Sequence, residues 1–286
     1  MIWELAVEPF AAYGFMRRAL VGCLAIAVSA TPVGVFLMLR RMSLTGDAMS
    51  HAILPGAAVG YLISGLSLGA MTIGGLIAGL VVALLAGVVT RATRAREDAS
   101  LAAFYLISLA VGVLIVSTRG GNVDLMHVLF GTVLALNDDA LALLASIATI
   151  TLVLLALFFR PLALECADPQ FLRSVSRLSA PTHFVFLGLV VLNLVGGFHA
   201  LGTLMAVGVM ILPAAAARYW ARTLGGLMAV AVAIAAASSF GGLLLSYHHS
   251  LPSGPAIILV AGAFYVASLL GGPVDGLLSR PARSFR

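Results

Sequence analysis

Continuous apolar runs of helix-spanning length recur along the whole chain, at 19–39, 52–66, 70–90, 99–118, 140–159, 182–198, 200–217, 223–247 and 255–272. A hydrocarbon core of ~30 Å needs roughly 20 apolar residues of α-helix to cross it. Inside that core every backbone N–H and C=O must be satisfied within the segment, which leaves helices and closed barrels. The runs are unbroken rather than alternating, so they read as helices and not as barrel strands. Only 9% of the 286 residues are charged, against about a quarter in a soluble domain, and the mean hydropathy is +1.12. Too little charge is present to cover a water-soluble surface. The expected fold is all-α and integral to the membrane, a bundle of about eight or nine transmembrane helices. The run at 125–136 is too short to span and reads as a re-entrant segment.

All sixteen basic residues are arginine. Let the chain enter from outside at residue 19 and alternate, with 125–136 not crossing. Arg40, Arg41, Arg91, Arg94, Arg96, Arg160, Arg173, Arg177, Arg218, Arg222, Arg280, Arg283 and Arg286 then fall inside, and Arg17, Arg18 and Arg119 outside. The positive-inside rule therefore predicts a cytoplasmic C-terminus. The net charge of +5 reflects this anchoring. No loop carries the extended basic patch that nucleic acid would need.

Residues 1–17 read as an N-terminal interfacial segment. Glu4 and Glu8 stand where a signal peptide would be basic, and Trp3, Phe10, Tyr13 and Phe15 suit the outer interface. Residues 18–275 form the transmembrane domain and 276–286 a cytoplasmic tail. Cys23 and Cys166 fall at different depths and are not expected to pair. Residues 160–181 are the longest polar stretch. Asp168-Pro169 signals a helix start and Pro181 a stop, so a short amphipathic helix at the cytoplasmic face is expected there. Gly56 and Gly60, then Gly75, Gly79, Ala83 and Gly87, recur every fourth residue, a spacing that lets membrane helices approach closely.

Polar groups within the membrane are costly and mark functional sites. The second span begins with Ser43, Asp47, Ser50 and His51 at i, i+4, i+7 and i+8, one face of a helix. A carboxylate and an imidazole one turn apart suit a divalent transition metal such as Zn²⁺ or Mn²⁺. Pro55 leaves the carbonyl of His51 without its helical partner. Two readings stand at this point. In one, Asp47 and His51 hold a metal in transit. In the other, Asp47 caps the helix or pairs with Arg40 or Arg41, and His51 bonds a neighbouring carbonyl. On the predicted outer side, Asp124, His127, His199, His248 and His249 are weaker candidates for receiving a cation, or ordinary loop residues. His183 receives no role. With no lysine, the phosphate loop GxxxxGK[ST] is impossible, and HExxH and GxSxG are absent as well. The chain is not expected to be an enzyme.

RRMSLTGDAMSHAILPGAAVGYL at 40–62 resembles the signature of the permease subunits of bacterial zinc/manganese/iron ABC importers. EDASLAAFYLISLAVGVLIVS at 97–117, DLMHVLFGTVLAL at 124–136, GTLMAVGVMILPAAAAR at 202–218 and LPSGPAIILVAGAFY at 251–265 extend the likeness in order over nearly the whole chain. The resemblance implies an ABC importer permease fold in the bacterial inner membrane. It implies a second permease copy, a cytoplasmic ATP-binding subunit that hydrolyses ATP, and a periplasmic metal-binding protein. Asp47 and His51 match the family's metal pair. The coupling helix would be 165–177, with Glu165, Asp168 and Phe171 toward the ATPase; the glycine common there is missing from 172–177. The implied mechanism is alternating access, with zinc as first cargo and manganese next, and no permanently bound cofactor. An ion-coupled secondary metal transporter working without an ATPase is the competing class, and no internal repeat of the kind common there is evident.

Overall fold

The structure, a computed structural model, describes residues 7–65, 67–93, 97–119, 133–274 and 276–278. Among them the chain forms eleven α-helices and no strand: α1 Glu8–Ala12, α2 Gly14–Leu39, α3 Ser43–Ser64, α4 Leu68–Ala92, α5 Glu97–Arg119, α6 Asp138–Ala167, α7 Pro169–Val175, α8 Ser179–Leu201, α9 Thr203–Ala217, α10 Leu224–His249 and α11 Ser253–Gly271. Six of them, α2, α4, α6, α8, α10 and α11, are long and apolar enough to cross a membrane. The chain is a multi-pass membrane protein. Most of the segment expected to be re-entrant, 125–136, lies outside the described residues; only its end is seen, as a 3-10 turn at Val133–Ala135.

Helices α2 and α8 form the centre: 72% of each apolar window is buried, against 28–39% in α4, α6, α10 and α11. On one side α3, α4 and α5 pack together and lean on α8. On the other, α9, α10 and α11 pack on one another, with α9 and α10 also on α2, while α6 runs along both central helices. Inside this core the Asn193 amide of α8 donates to the Thr151 hydroxyl of α6 (2.9 Å) and to the Leu189 carbonyl (2.9 Å).

The outer helices carry large apolar side chains outward and small ones inward. In α4, Ile73, Ile77, Leu84 and Val88 are exposed while Gly75, Gly79, Ala83 and Ala86 are buried. Lipid is as apolar as leucine, so bulk gains nothing by facing inward, and association rests on close packing between small residues. Gly75 and Gly79 receive Ile53 and Val191, and Gly87 receives Phe184. The closest approach joins α3 to α4, where Gly56 faces the Gly74 carbonyl and Gly60 the Ala70 carbonyl. A turn with Gly65 at φ 64° folds the two helices together, and Ser67 caps α4.

Two boundaries differ from the sequence expectation. Helix α6 continues past 159 through Pro161 to Ala167. The amphipathic helix expected over 165–177 is therefore only α7, set off by the extended backbone of Asp168 and Ser176. The apolar run at 200–217 begins one turn late, because Gly202 takes φ 85° and breaks the chain between α8 and α9. The resulting α9 has 15 residues, about 22 Å of helix against a core of ~30 Å.

Gly56→Leu should collide with backbone of α4 and cost about 3 kcal/mol or more, seen as loss of monodisperse protein in detergent and a lowered melting temperature. Gly262→Ala, where a Cβ meets open space, should leave both unchanged.

Candidate metal centre

Helix α3 starts from a tight joint. Arg41 N–H donates to the Met38 carbonyl (3.0 Å) and Met42 N–H to the Leu37 carbonyl (2.9 Å), with Arg41 left-handed at φ 60°. These are the two hydrogen bonds of a Schellman ending, normally built around glycine. Asp47 and His51 then fall within the first nine residues of α3, about 12 Å along its axis.

The Asp47 side chain is 67% exposed and that of His51 37% exposed, with Oδ1 and Nε2 3.9 Å apart. That is too long for a hydrogen bond. It is within the ~4.2 Å that two metal–ligand bonds of about 2.1 Å can span. Ser43 shares the exposed face. Ser50 does not: it is buried, and its hydroxyl donates to the Asp47 carbonyl at 2.7 Å. The four-residue face read from the sequence is thus a three-residue one.

The two structural roles that competed for this pair are not seen. The cap position of α3 is Met42, without a side-chain cap. The Arg40 guanidinium is engaged elsewhere, with Nη2 2.9 Å from Glu165 Oε1. Among the described residues no arginine lies within ion-pair distance of the Asp47 carboxylate, and its one ionisable neighbour at that range is His51. The His51 ring stacks on Tyr105 of α5, with centroids 6.3 Å apart and planes at 30°. One turn on, Ser108 donates to the Ala52 carbonyl (3.1 Å), and Gly112 admits Pro55 against α5. Tyr105, Ser108 and Gly112 were missed in the sequence. Their i, i+3, i+7 spacing marks a helix face, but nothing local says that this face meets α3.

Among the described residues no three His, Cys, Asp or Glu side chains gather closely enough to hold an ion. One chain therefore offers one oxygen and one nitrogen ligand at this place. Of the outer candidates, His248 and His249 are exposed at the end of α10, with His248 edge-on to Tyr247 at 5.3 Å. Asp124 and His127, and the side chain of His199, lie outside the described residues.

At α7, Asp168 Oδ1 accepts from the N–H groups of Gln170 (3.0 Å) and Phe171 (2.9 Å), an N-cap that fixes the start of this short helix. Leu172 is buried, while Phe171 and Val175 are 50% and 67% exposed. Glu165, grouped with Asp168 and Phe171 by resemblance, is 3% exposed and turned inward to Arg40.

The ABC 3 transport family matches residues 12–272. This chain belongs to that family. The manganese transport system membrane protein MntC of Halalkalibacterium halodurans is 31% identical over 98% of this chain and 94% of its own length. The chelated iron transport system membrane protein YfeD of Yersinia pestis is 29% identical over 98% of this chain and 93% of its own. In a solved structure, PsaBC from Streptococcus pneumoniae in complex with Fab, one chain superposes with a TM-score of 0.83 at 28% identity, covering 96% of this chain and 98% of that one. The chain is thus a multi-pass membrane protein of the ABC 3 transport family, similar over nearly its whole length to membrane proteins of manganese and chelated-iron transport systems.

Asp168→Ala should cost α7 about 1 kcal/mol of local stability. Amide exchange over 169–175 should rise about fivefold, with Asp168→Asn keeping most of the protection.

Proposed function

We propose that this chain is the membrane-spanning permease of an ATP-driven importer for divalent first-row transition metals, with manganese as first cargo. The observation that carries it is the Asp47–His51 face. An open carboxylate and an imidazole sit one turn apart on a helix of a transport-family permease, with no arginine neutralising them. The sequence reading put zinc first. The relatives named above point to manganese and iron, and an exposed carboxylate suits the harder ion. The metal passes as cargo, and no resident cofactor is required.

Two donors fall short of the four to six ligands such ions take, so a second permease copy facing the first would complete the shell with its own Asp47 and His51. Arginine placement supports a cytoplasmic C-terminus in a bacterial inner membrane. With α3, α5 and α9 added to the six long apolar helices, the bundle would cross nine times, the upper of the two expected counts. On the cytoplasmic side the capped α7, presenting Phe171 and Val175, would seat against a separate ATP-binding subunit that performs the hydrolysis. On the outer side a periplasmic metal-binding protein would deliver the ion near His248, His249 and the 119–131 and 195–202 segments, where Asp124, His127 and His199 lie. Family membership disfavours the secondary-transporter alternative.

Reconstitution in liposomes with and without the candidate ATP-binding subunit tests this reading. Uptake of radiolabelled Mn²⁺ should require both that subunit and ATP, and Asp47→Ala or His51→Ala should each lower it at least a hundredfold while the complex still assembles. Uptake without ATP would sink the importer reading. Near-normal uptake in both variants would return the pair to a structural role, and preference for Zn²⁺ in competition would reassign the cargo.

A further inference from the structure

The most heavily invested polar group in the bundle is Arg40, and the metal pathway makes no use of it. Its side chain is 10% exposed. Nη2 pairs with Glu165 Oε1 at 2.9 Å and lies 3.3 Å from His183 Nδ1. The guanidinium also covers the Phe186 ring, 4.6 Å from its centroid. One side chain thus ties together the α2–α3 joint, the end of α6 and the start of α8.

The positions of the two partners along the chain give the pair its meaning. Arg40 is the C-cap residue that follows Leu39 at the Schellman ending of α2, and the left-handed Arg41 leads directly into α3. Displacing Arg40 displaces the start of the helix that carries Asp47 and His51. Glu165 lies in the last turn of α6, three residues before Asp168, which ends α6 and caps α7. A push on α7 is delivered to Glu165 through one residue of extended chain. Beside the pair is a cavity of about 270 Å³. Arg91, Arg173 and Pro169 are among its lining residues, which leaves room for the two partners to shift together.

Stability alone gives a poor reason for the arrangement. Taking both ions from water costs several kcal/mol each, and apolar residues of like size often serve a fold as well or better. One oxygen and one nitrogen, Glu165 Oε2 and Arg40 Nη1, are buried without a hydrogen-bond partner among the described residues. What an ion pair provides and leucine does not is a directional, breakable link between two elements.

We propose that Arg40 and Glu165 are positioning residues: their buried pair is the joint through which α7 moves the start of α3, and with it Asp47 and His51. The proposal rests on the importer reading for the origin of the movement. Two measurements on the assembled transporter test it. In proteoliposomes, the paired replacement Arg40→Met with Glu165→Leu should continue to hydrolyse ATP but import at least tenfold fewer metal ions per ATP, whereas the single conservative variant Glu165→Asp should retain most of the native ratio. A ratio unchanged within twofold would overturn the joint. Independently of transport, Glu165→Gln should raise amide exchange at least threefold over both 43–51 and 169–175. A rise confined to one segment, or none, would overturn it even if the paired replacement fails to assemble. Metal uptake by the unaltered chain without its ATPase would count against the importer reading alone, and the exchange experiment would still judge the joint.

Discussion

A bilayer offers no water to an unpaired N–H or C=O, and this constraint governs every level of the chain. It forces the backbone into helices, and it removes the hydrophobic drive that would pack them. What remains to hold the bundle is close contact, which explains the glycine lines of α3 and α4 and the outward-facing Ile73, Ile77 and Leu84. The same constraint makes each polar side chain in the bundle expensive, so those that persist need a reason. The Asn193 amide nitrogen is taken up by the Thr151 hydroxyl and the Leu189 carbonyl. Arg40 and Glu165 neutralise each other. Asp47 and His51 do neither: they are open, and 3.9 Å apart.

That difference sets the Asp47–His51 pair apart from the other polar groups of the bundle. A carboxylate with an arginine nearby would hold its charge and its partner, and a passing cation would find it occupied. Arg40 lies seven residues before Asp47 and is committed to Glu165, which leaves the Asp47 carboxylate unneutralised at the start of α3. Tyr105 limits the freedom of the His51 ring from the α5 side. In the proposed importer, two protein ligands per chain would hold the ion weakly, which suits a carrier that must release its cargo.

Much of this was legible in the sequence because it is local. Apolar run length gave the helices, Asp168-Pro169 gave the start of α7, and the four-residue spacing of Asp47 and His51 gave their shared exposed face. What escaped depends on contacts between distant segments. Ser50 shares the helical spacing of Asp47, yet it turns inward to a carbonyl. Arg160 and Pro161 look like the end of a span, but α6 continues through them because the last turns pack beside α7 and Arg40. Glu165 was placed toward the ATPase by resemblance, yet it is buried and paired with Arg40. Its partner lies 125 positions earlier, and no local pattern announces it. His183 likewise drew no role and is found buried against Arg40.

The central claim is that metal travels along the Asp47–His51 face, shared between two copies. Anomalous diffraction at the manganese edge, from crystals of the assembled transporter soaked in Mn²⁺, tests it most directly. The account predicts a peak within ~2.5 Å of an Asp47 oxygen and a His51 nitrogen, on or near the axis relating the two permeases. Peaks confined to His248, His249 or other outer residues, with none at Asp47 and His51, would contradict it.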